Sequence, residues 1–201
     1  MEQTRSRPAG VAGLCGRRRA LGTLAAVIAA LAAGMPPRAA APVTVELVDH
    51  AGLMAAVAAH RGRVVVLDCW STSCPPCVRE FPNLVALAAA HPGDVACLSL
   101  AFDYDGLGTP DDAVPAVREF LESVAAHDVH NMLSREEADV MYRKLELTSV
   151  PAVFVWGPDG TLAARFDDDT ADTTLGRPFT YADVAMTVRE LLATKQASPR
   201  R

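Results

Sequence analysis

Beyond its N-terminal segment, this 201-residue chain has no apolar run near the roughly 18–20 residues a membrane span needs, which excludes a polytopic membrane protein. No sequence period repeats, and 14 prolines are scattered throughout, so collagen-like, low-complexity and coiled-coil architectures fail. Five unevenly spaced cysteines are too few for a disulfide-scaffold miniprotein. There is no second C-x-x-C and no His-x-x-x-His, so a closed four-ligand zinc site lacks its ligands. Disorder of the bulk is excluded, because half the residues are hydrophobic and can fill a core.

Charge is divided unevenly. Residues 1–41 carry a net +5 and residues 42–201 a net −10. An acidic body argues against nucleic acid as a partner. The basic segment reads as an export signal. Arg17-Arg18-Arg19 precede the 15-residue apolar stretch Ala20–Gly34, and Ala39-Ala40-Ala41 supply small residues for cleavage before Pro42. Arg17-Arg18 followed by Leu21 also resembles a twin-arginine signal. The alternatives are an uncleaved membrane anchor through residues 20–35 and a buried first helix. Cys15 lies ahead of the apolar stretch, so it is not placed as a lipoprotein cysteine. The expected organisation is a signal over 1–41, one domain over 42–195 and a disordered tail over 196–201.

Strands and helices alternate through the domain. Strands are expected at Val43–Val48, Arg63–Trp70, Val95–Phe102, Val129–Leu133, Ala152–Trp156 and Thr161–Phe166. The last two are joined by the turn Gly157-Pro158-Asp159-Gly160. Helices are expected at Leu53–His60, at Cys77–His91, along the stripe Val117, Phe120, Leu121 and Val124, and over 135–145 behind a capping box of Ser134 and Glu137. A last helix follows Thr180, with Val184, Val188, Leu191 and Leu192 inward. The order β-α-β-α-β-α-β-α-β-β-α implies an α/β fold with a mixed central sheet flanked by helices.

The chemistry concentrates in Asp68-Cys69-Trp70-Ser71-Thr72-Ser73-Cys74-Pro75-Pro76-Cys77. A C-x-x-C pair between a buried strand and a helix puts Cys74 at the helix N-terminus, where free N–H groups and the dipole favour a thiolate. Cys77, one turn in, closes a small disulfide with it. Cys74 is then the exposed attacking thiol and Cys77 the shielded resolving one. Pro75 suits the first turn. Because Pro75 and Pro76 lack N–H groups, two donors to the Cys74 sulfur are missing, which favours a reductant. Asp68 follows an apolar strand, where a carboxylate is costly without a use. It is expected to be an acid/base of raised pKa acting on Cys77, the alternative being a strand-end carboxylate facing solvent.

Val64–Pro82 resembles the active-site strand and helix of the thioredoxin-like superfamily, and the C-P-P-C version with an export signal is similar to its bacterial TlpA/ResA branch. Trp70, four residues before Cys74, and Pro82, five after Cys77, match the family's tryptophan and helix proline. Asp68 matches its buried acid, and Val150-Pro151 the loop whose proline is cis. The resemblance implies Val150, Pro151 and Trp70 as substrate-binding residues, with core packing alone as the alternative for Trp70. It also implies protein disulfides as substrates, a membrane thiol carrier as electron donor, no cofactor, and a helix-plus-strand insertion over Val114–Leu145. The chain departs from the family at Cys69, where an aromatic is usual, and at Leu147-Thr148-Ser149-Val150, which lacks a Gly-rich approach to the proline.

Two other function classes fit parts of the pattern. One is a soft-metal protein gripping Cu(I) with Cys74 and Cys77. The other is a peroxidase of the related peroxiredoxin group, whose Thr-x-x-Cys after a proline is lacking. Cys69 and Cys97 read as buried thiols, with a second disulfide as the sharper alternative. Asp167-Asp168-Asp169 with Asp172 reads as a solvated acidic turn rather than a calcium loop. The five histidines show no metal spacing.

Overall fold

The computed structural model describes residues 42–167, 171 and 175–197. The chain divides into two units, Met1–Ala39 and Ala40–Arg201, and everything described lies in the second. The expected signal and anchor over 1–41, with Cys15, lie outside the described residues, as do Asp168, Asp169, Asp172 and residues 198–201.

The elements run β1 (Glu46–Val48), α1 (His50–Ala59), β2 (Val64–Trp70), α2 (Pro75–Ala90), β3 (Val95–Ala101), α3 (Pro110–Ser123), β4 (His130–Ser134), α4 (Ala138–Leu145), β5 (Ala152–Trp156), β6 (Leu162–Phe166) and α5 (Tyr181–Ala197). The element order is the expected one. The six strands form one sheet in the order β1-β4-β3-β2-β5-β6. The pairs β1–β4, β4–β3 and β3–β2 are parallel, as helical crossovers require, whereas β5 and β6 are antiparallel. Gly160, at φ 84°, closes the β5–β6 turn, where an L side chain would be strained. The α3–β4 insertion places its strand between β1 and β3.

Every residue of β2 and β3 is buried, because helices cover both faces. Val64, Val66 and Trp70 pack toward Phe81 and Leu84 of α2, Val117 and Leu121 of α3, and Val184 and Val188 of α5. Val65, Leu67 and Cys69 point the other way, toward Leu53 and Val57 of α1 and Met141 of α4. This alternation puts Cys69 and Cys97 in separate cores on opposite faces. Their register partners, Leu100 and Val66, confirm the offset. The alternative disulfide between them is therefore excluded, and both are free buried thiols.

Strand β1 begins at Glu46 rather than Val43, and four helix boundaries also differ from expectation. Asp49 caps α1, accepting from the Gly52 N–H at 2.8 Å, so the helix starts at His50. Cys74 is the cap of α2, and Pro75 and Pro76 occupy its first two positions, where missing N–H groups break no helical bond. The expected capping box at Ser134 does not form: Ser134 is the last residue of β4, paired with Val48, and its hydroxyl donates to the Glu136 carbonyl at 2.7 Å. Helix α4 consequently begins at Ala138 rather than 135. Helix α5 continues to Ala197, two residues into the expected tail.

Candidate active site

Strand β2 delivers the chain into a loop, Ser71–Ser73, that is tied on itself and to the neighbouring strand end. The Cys74 N–H donates to the Ser71 carbonyl at 3.1 Å, and the Ser73 N–H to Ser71 Oγ at 3.2 Å. Across the sheet, the Thr72 N–H donates to Asp103 Oδ1 at 3.0 Å, and the Thr72 hydroxyl donates to the same oxygen. Asp103 sits just beyond β3, so the loops following two parallel strands clamp each other. Cys74 is thereby held at the start of α2.

Cys74 and Cys77 form a disulfide with Cα atoms 5.3 Å apart. The Cys77 N–H points at Cys74 Sγ, 3.3 Å away, as an N-cap donor does. It is a backbone donor that the two prolines leave in place. Cys74 is partly exposed, whereas Cys77 is 3% exposed, so an incoming group reaches Cys74 first. The nearest cation in sequence, Arg79, is exposed and pairs with Glu80 at 3.5 Å.

The loop ahead of β5 approaches the same sulfur. Val150–Pro151 is a cis peptide, as expected, and the Val150 carbonyl oxygen lies 3.7 Å from Cys74 Sγ. The β2–β5 ladder ends at the pair Cys69–Ala152, so the Val150 backbone stands outside it. Three segments distant in sequence thus meet: the C-x-x-C, the β3 end and the Val150 turn.

Behind them lies Asp68, 4% exposed, on the face of β2 that carries Val66 and Trp70. Burial raises its pKa from 3.8 to about 7, while a hydrogen bond from the Tyr181 hydroxyl pulls the other way. Tyr181 is the first residue of α5. That helix end is fixed by Asp183, which accepts from the Thr180 N–H at 2.9 Å and from both Arg177 terminal nitrogens at 2.9 and 2.7 Å. Arg177, and then Thr180, hold the Asp183 carboxyl well below the usual carboxylate range. Ser99 and Asn131 continue the lateral row from Asp68 across β3 and β4, and both are buried. They satisfy each other: Ser99 Oγ meets Asn131 Oδ1 at 3.0 Å, and Asn131 Nδ2 donates to the Ala126 and Val129 carbonyls. Burial pushes the Cys97 thiol up to about 12 and raises Cys69 as well, so neither competes as a nucleophile.

No protein-family model and no curated protein matches the chain. Solved structures do. A thiol:disulfide interchange protein of the thioredoxin family from Chlorobium tepidum is 17% identical, over 67% of this chain and 83% of its own, with a TM-score of 0.50. The exposed lipoprotein thioredoxin of Streptococcus pneumoniae is 12% identical, over 67% of this chain and 89% of its own, with a TM-score of 0.50. The chain has a thioredoxin-like fold. At these identities the likeness is one of architecture, and the chemistry rests on the residues themselves.

Within this thioredoxin-like domain, Cys74, Cys77, Val150 and Pro151 gather around one sulfur, with Asp68 buried on the α2-facing side of β2. Of the two readings of Trp70, the structure takes core packing. The residue is fully buried, with ring centroids 4.8 Å from both Phe81 and Phe120, so it packs the core and presents no surface to a substrate. Its residue pattern, a tryptophan closing a continuously buried strand, carries that reading too. Sequence reasoning missed Tyr181 and Asp103. The pair Tyr181–Asp68 is separated by 113 residues, and nothing local links them. Asp103 follows closely on the buried strand β3, which puts it at the same sheet end as Cys74. Among the described residues no three His, Cys, Asp or Glu side chains cluster as metal ligands. Asp167 of the acidic turn pairs with Arg165.

Proposed function

We propose that this protein is an exported thiol-disulfide oxidoreductase that reduces disulfides in proteins through the Cys74–Cys77 dithiol. The observation that carries the reading is the asymmetry of the pair: a partly exposed sulfur at a helix N-terminus, joined to a buried one a turn deeper. In the reduced protein the Cys74 thiolate attacks one sulfur of a substrate disulfide. A Cys74–substrate bond forms, and the other substrate sulfur leaves and takes a proton. Asp68 then accepts the Cys77 proton, and Cys77 attacks Cys74 Sγ. The protein disulfide forms, the mixed disulfide breaks, and the second substrate sulfur leaves to be protonated. Two electrons have passed from dithiol to substrate. The Val150 backbone, free of the ladder and beside Cys74, is suited to pair with an extended substrate segment, with Pro151 shaping that turn.

Direction follows from thiolate stability. A well-stabilised thiolate makes the disulfide a strong oxidant. Here Pro75 and Pro76 offer Cys74 no N–H, and Arg79 is engaged by Glu80, so stabilisation is limited to the Cys77 N–H and the helix end. This limited stabilisation supports the reading of a reductant, resupplied by a membrane thiol carrier. Export is supported by the basic, then apolar, then small-residue pattern of residues 1–41. Among the described residues no helix is long and apolar enough to cross a membrane.

Equilibrating the protein in dithiothreitol or glutathione mixtures and trapping free thiols tests the direction. A potential nearer roughly −270 mV than roughly −120 mV is expected, and one above about −150 mV would make the protein an oxidant on the same residues.

A further inference from the structure

Asp68 has an unusual setting. Its carboxyl is nearly sealed, yet Tyr181 is its one side-chain hydrogen-bond donor among the described residues, and Tyr181 engages one oxygen, Oδ2. Neighbouring polar groups do not compete, because Ser99 and Asn131 are spent on each other and on backbone carbonyls. Val153 faces Asp68 from β5. The titratable groups sharing its core are Cys77 from α2, Cys97 from β3 and Tyr181 from α5, with Cys69 on the opposite face of its own strand. Two cations bear on these thiols electrostatically, Arg63 on Cys97 and Arg165 on Cys69.

Tyr181 is itself rigidly set. It opens α5 directly after the Thr180–Asp183–Arg177 cluster, which fixes the helix end. It also forms part of the wall of a groove of about 450 Å³ between α2 and α5, where Asn83, His91 and Arg189 reach the surface. Tyr181 therefore borders both the buried carboxyl and the helix–helix groove.

We propose that Tyr181 is a positioning residue for the exchange reaction: its hydroxyl holds Asp68 through one carboxyl oxygen, leaves the other to take the Cys77 proton, and so sets the pH at which resolution of the mixed disulfide switches on. The inference rests on the role assigned above to Asp68. The sign follows from the bond: a phenol donating to a carboxylate favours the charged form, which is the one that accepts a proton. Without the hydroxyl the base form appears only at higher pH. A hydrogen bond to a charged group is strong enough to move that point by about one pH unit.

The test is the release of a chromophoric aromatic thiol preloaded on Cys74, followed after jumps to pH 5 through 9 in the wild type, Tyr181→Phe and Asp68→Asn. Phe keeps the ring in the core. The wild type is expected to show a midpoint that Asp68→Asn lacks. Tyr181→Phe is expected to move it up by about one unit, with release about tenfold slower below the midpoint and unchanged above it. If Asp68→Asn retains the midpoint, the role of Asp68 fails and this inference fails with it. If Asp68→Asn loses the midpoint but Tyr181→Phe keeps it in place, or slows release equally at every pH, Asp68 stands and Tyr181 is structural. A carbon NMR titration of the Asp68 carboxyl in oxidised Tyr181→Phe gives an independent reading: an upward shift supports the proposal, and an unmoved titration overturns it.

Discussion

Replacing Asp68 with Asn is expected to stabilise the oxidised protein at alkaline pH and to flatten its dependence on pH. The carboxyl is 4% exposed, and burial moves its pKa from 3.8 to about 7, outweighing the hydrogen bond from Tyr181. Between those values the folded protein holds a proton that the unfolded chain has released. The contribution of this group to stability is therefore complete below about pH 4 and is lost as pH rises through about 7. At about 1.4 kcal/mol per unit, ionising the folded carboxyl costs on the order of 4 kcal/mol, of which about 3 kcal/mol falls between pH 5 and 8. Asn keeps the shape and an oxygen for the Tyr181 hydroxyl, and it does not ionise. Denaturant unfolding of both proteins at pH 5, 6, 7 and 8, with the disulfide intact, isolates the difference. The wild type should lose roughly 3 kcal/mol more than Asp68→Asn across the interval. Parallel losses in the two proteins would refute the reasoning, since they would mean that Asp68 is already ionised, or solvated, in the folded state.

Trp70→Ala should destabilise the protein by about 3–5 kcal/mol in denaturant unfolding, as loss of a fully buried aromatic does; a loss under about 1 kcal/mol would contradict its place between Phe81 and Phe120. The export reading predicts that protein recovered from the extracytoplasmic fraction begins near Pro42 on N-terminal sequencing, whereas soluble cytosolic protein with residues 1–41 intact would sink it.

The element order was legible because the chain separates its periods cleanly. Val64–Trp70 is apolar without interruption, so a strand covered on both faces was the one consistent reading, and the C-x-x-C directly after it placed the sulfurs at a helix end. The placement of the Cys74 turn against Val150 was accessible through resemblance alone, because the contact joins residues 76 apart. What stayed hidden depends on register and tertiary packing. Whether Cys69 and Cys97 share a face is decided by β2–β3 pairing, which no local pattern states. Ser134 carries the composition of a helix cap, but pairing with Val48 keeps it in a strand. Tyr181 acquires its meaning from a buried carboxyl contributed by the opposite end of the domain.

The central claim is that Cys74 attacks and Cys77 resolves. Reduced Cys77→Ser mixed with a disulfide-bonded protein should accumulate a stable covalent adduct, and peptide mapping should place it on Cys74. Reduced Cys74→Ser should form none. Undiminished disulfide reduction by Cys74→Ser, or an adduct mapped to Cys69 or Cys97, would contradict the account.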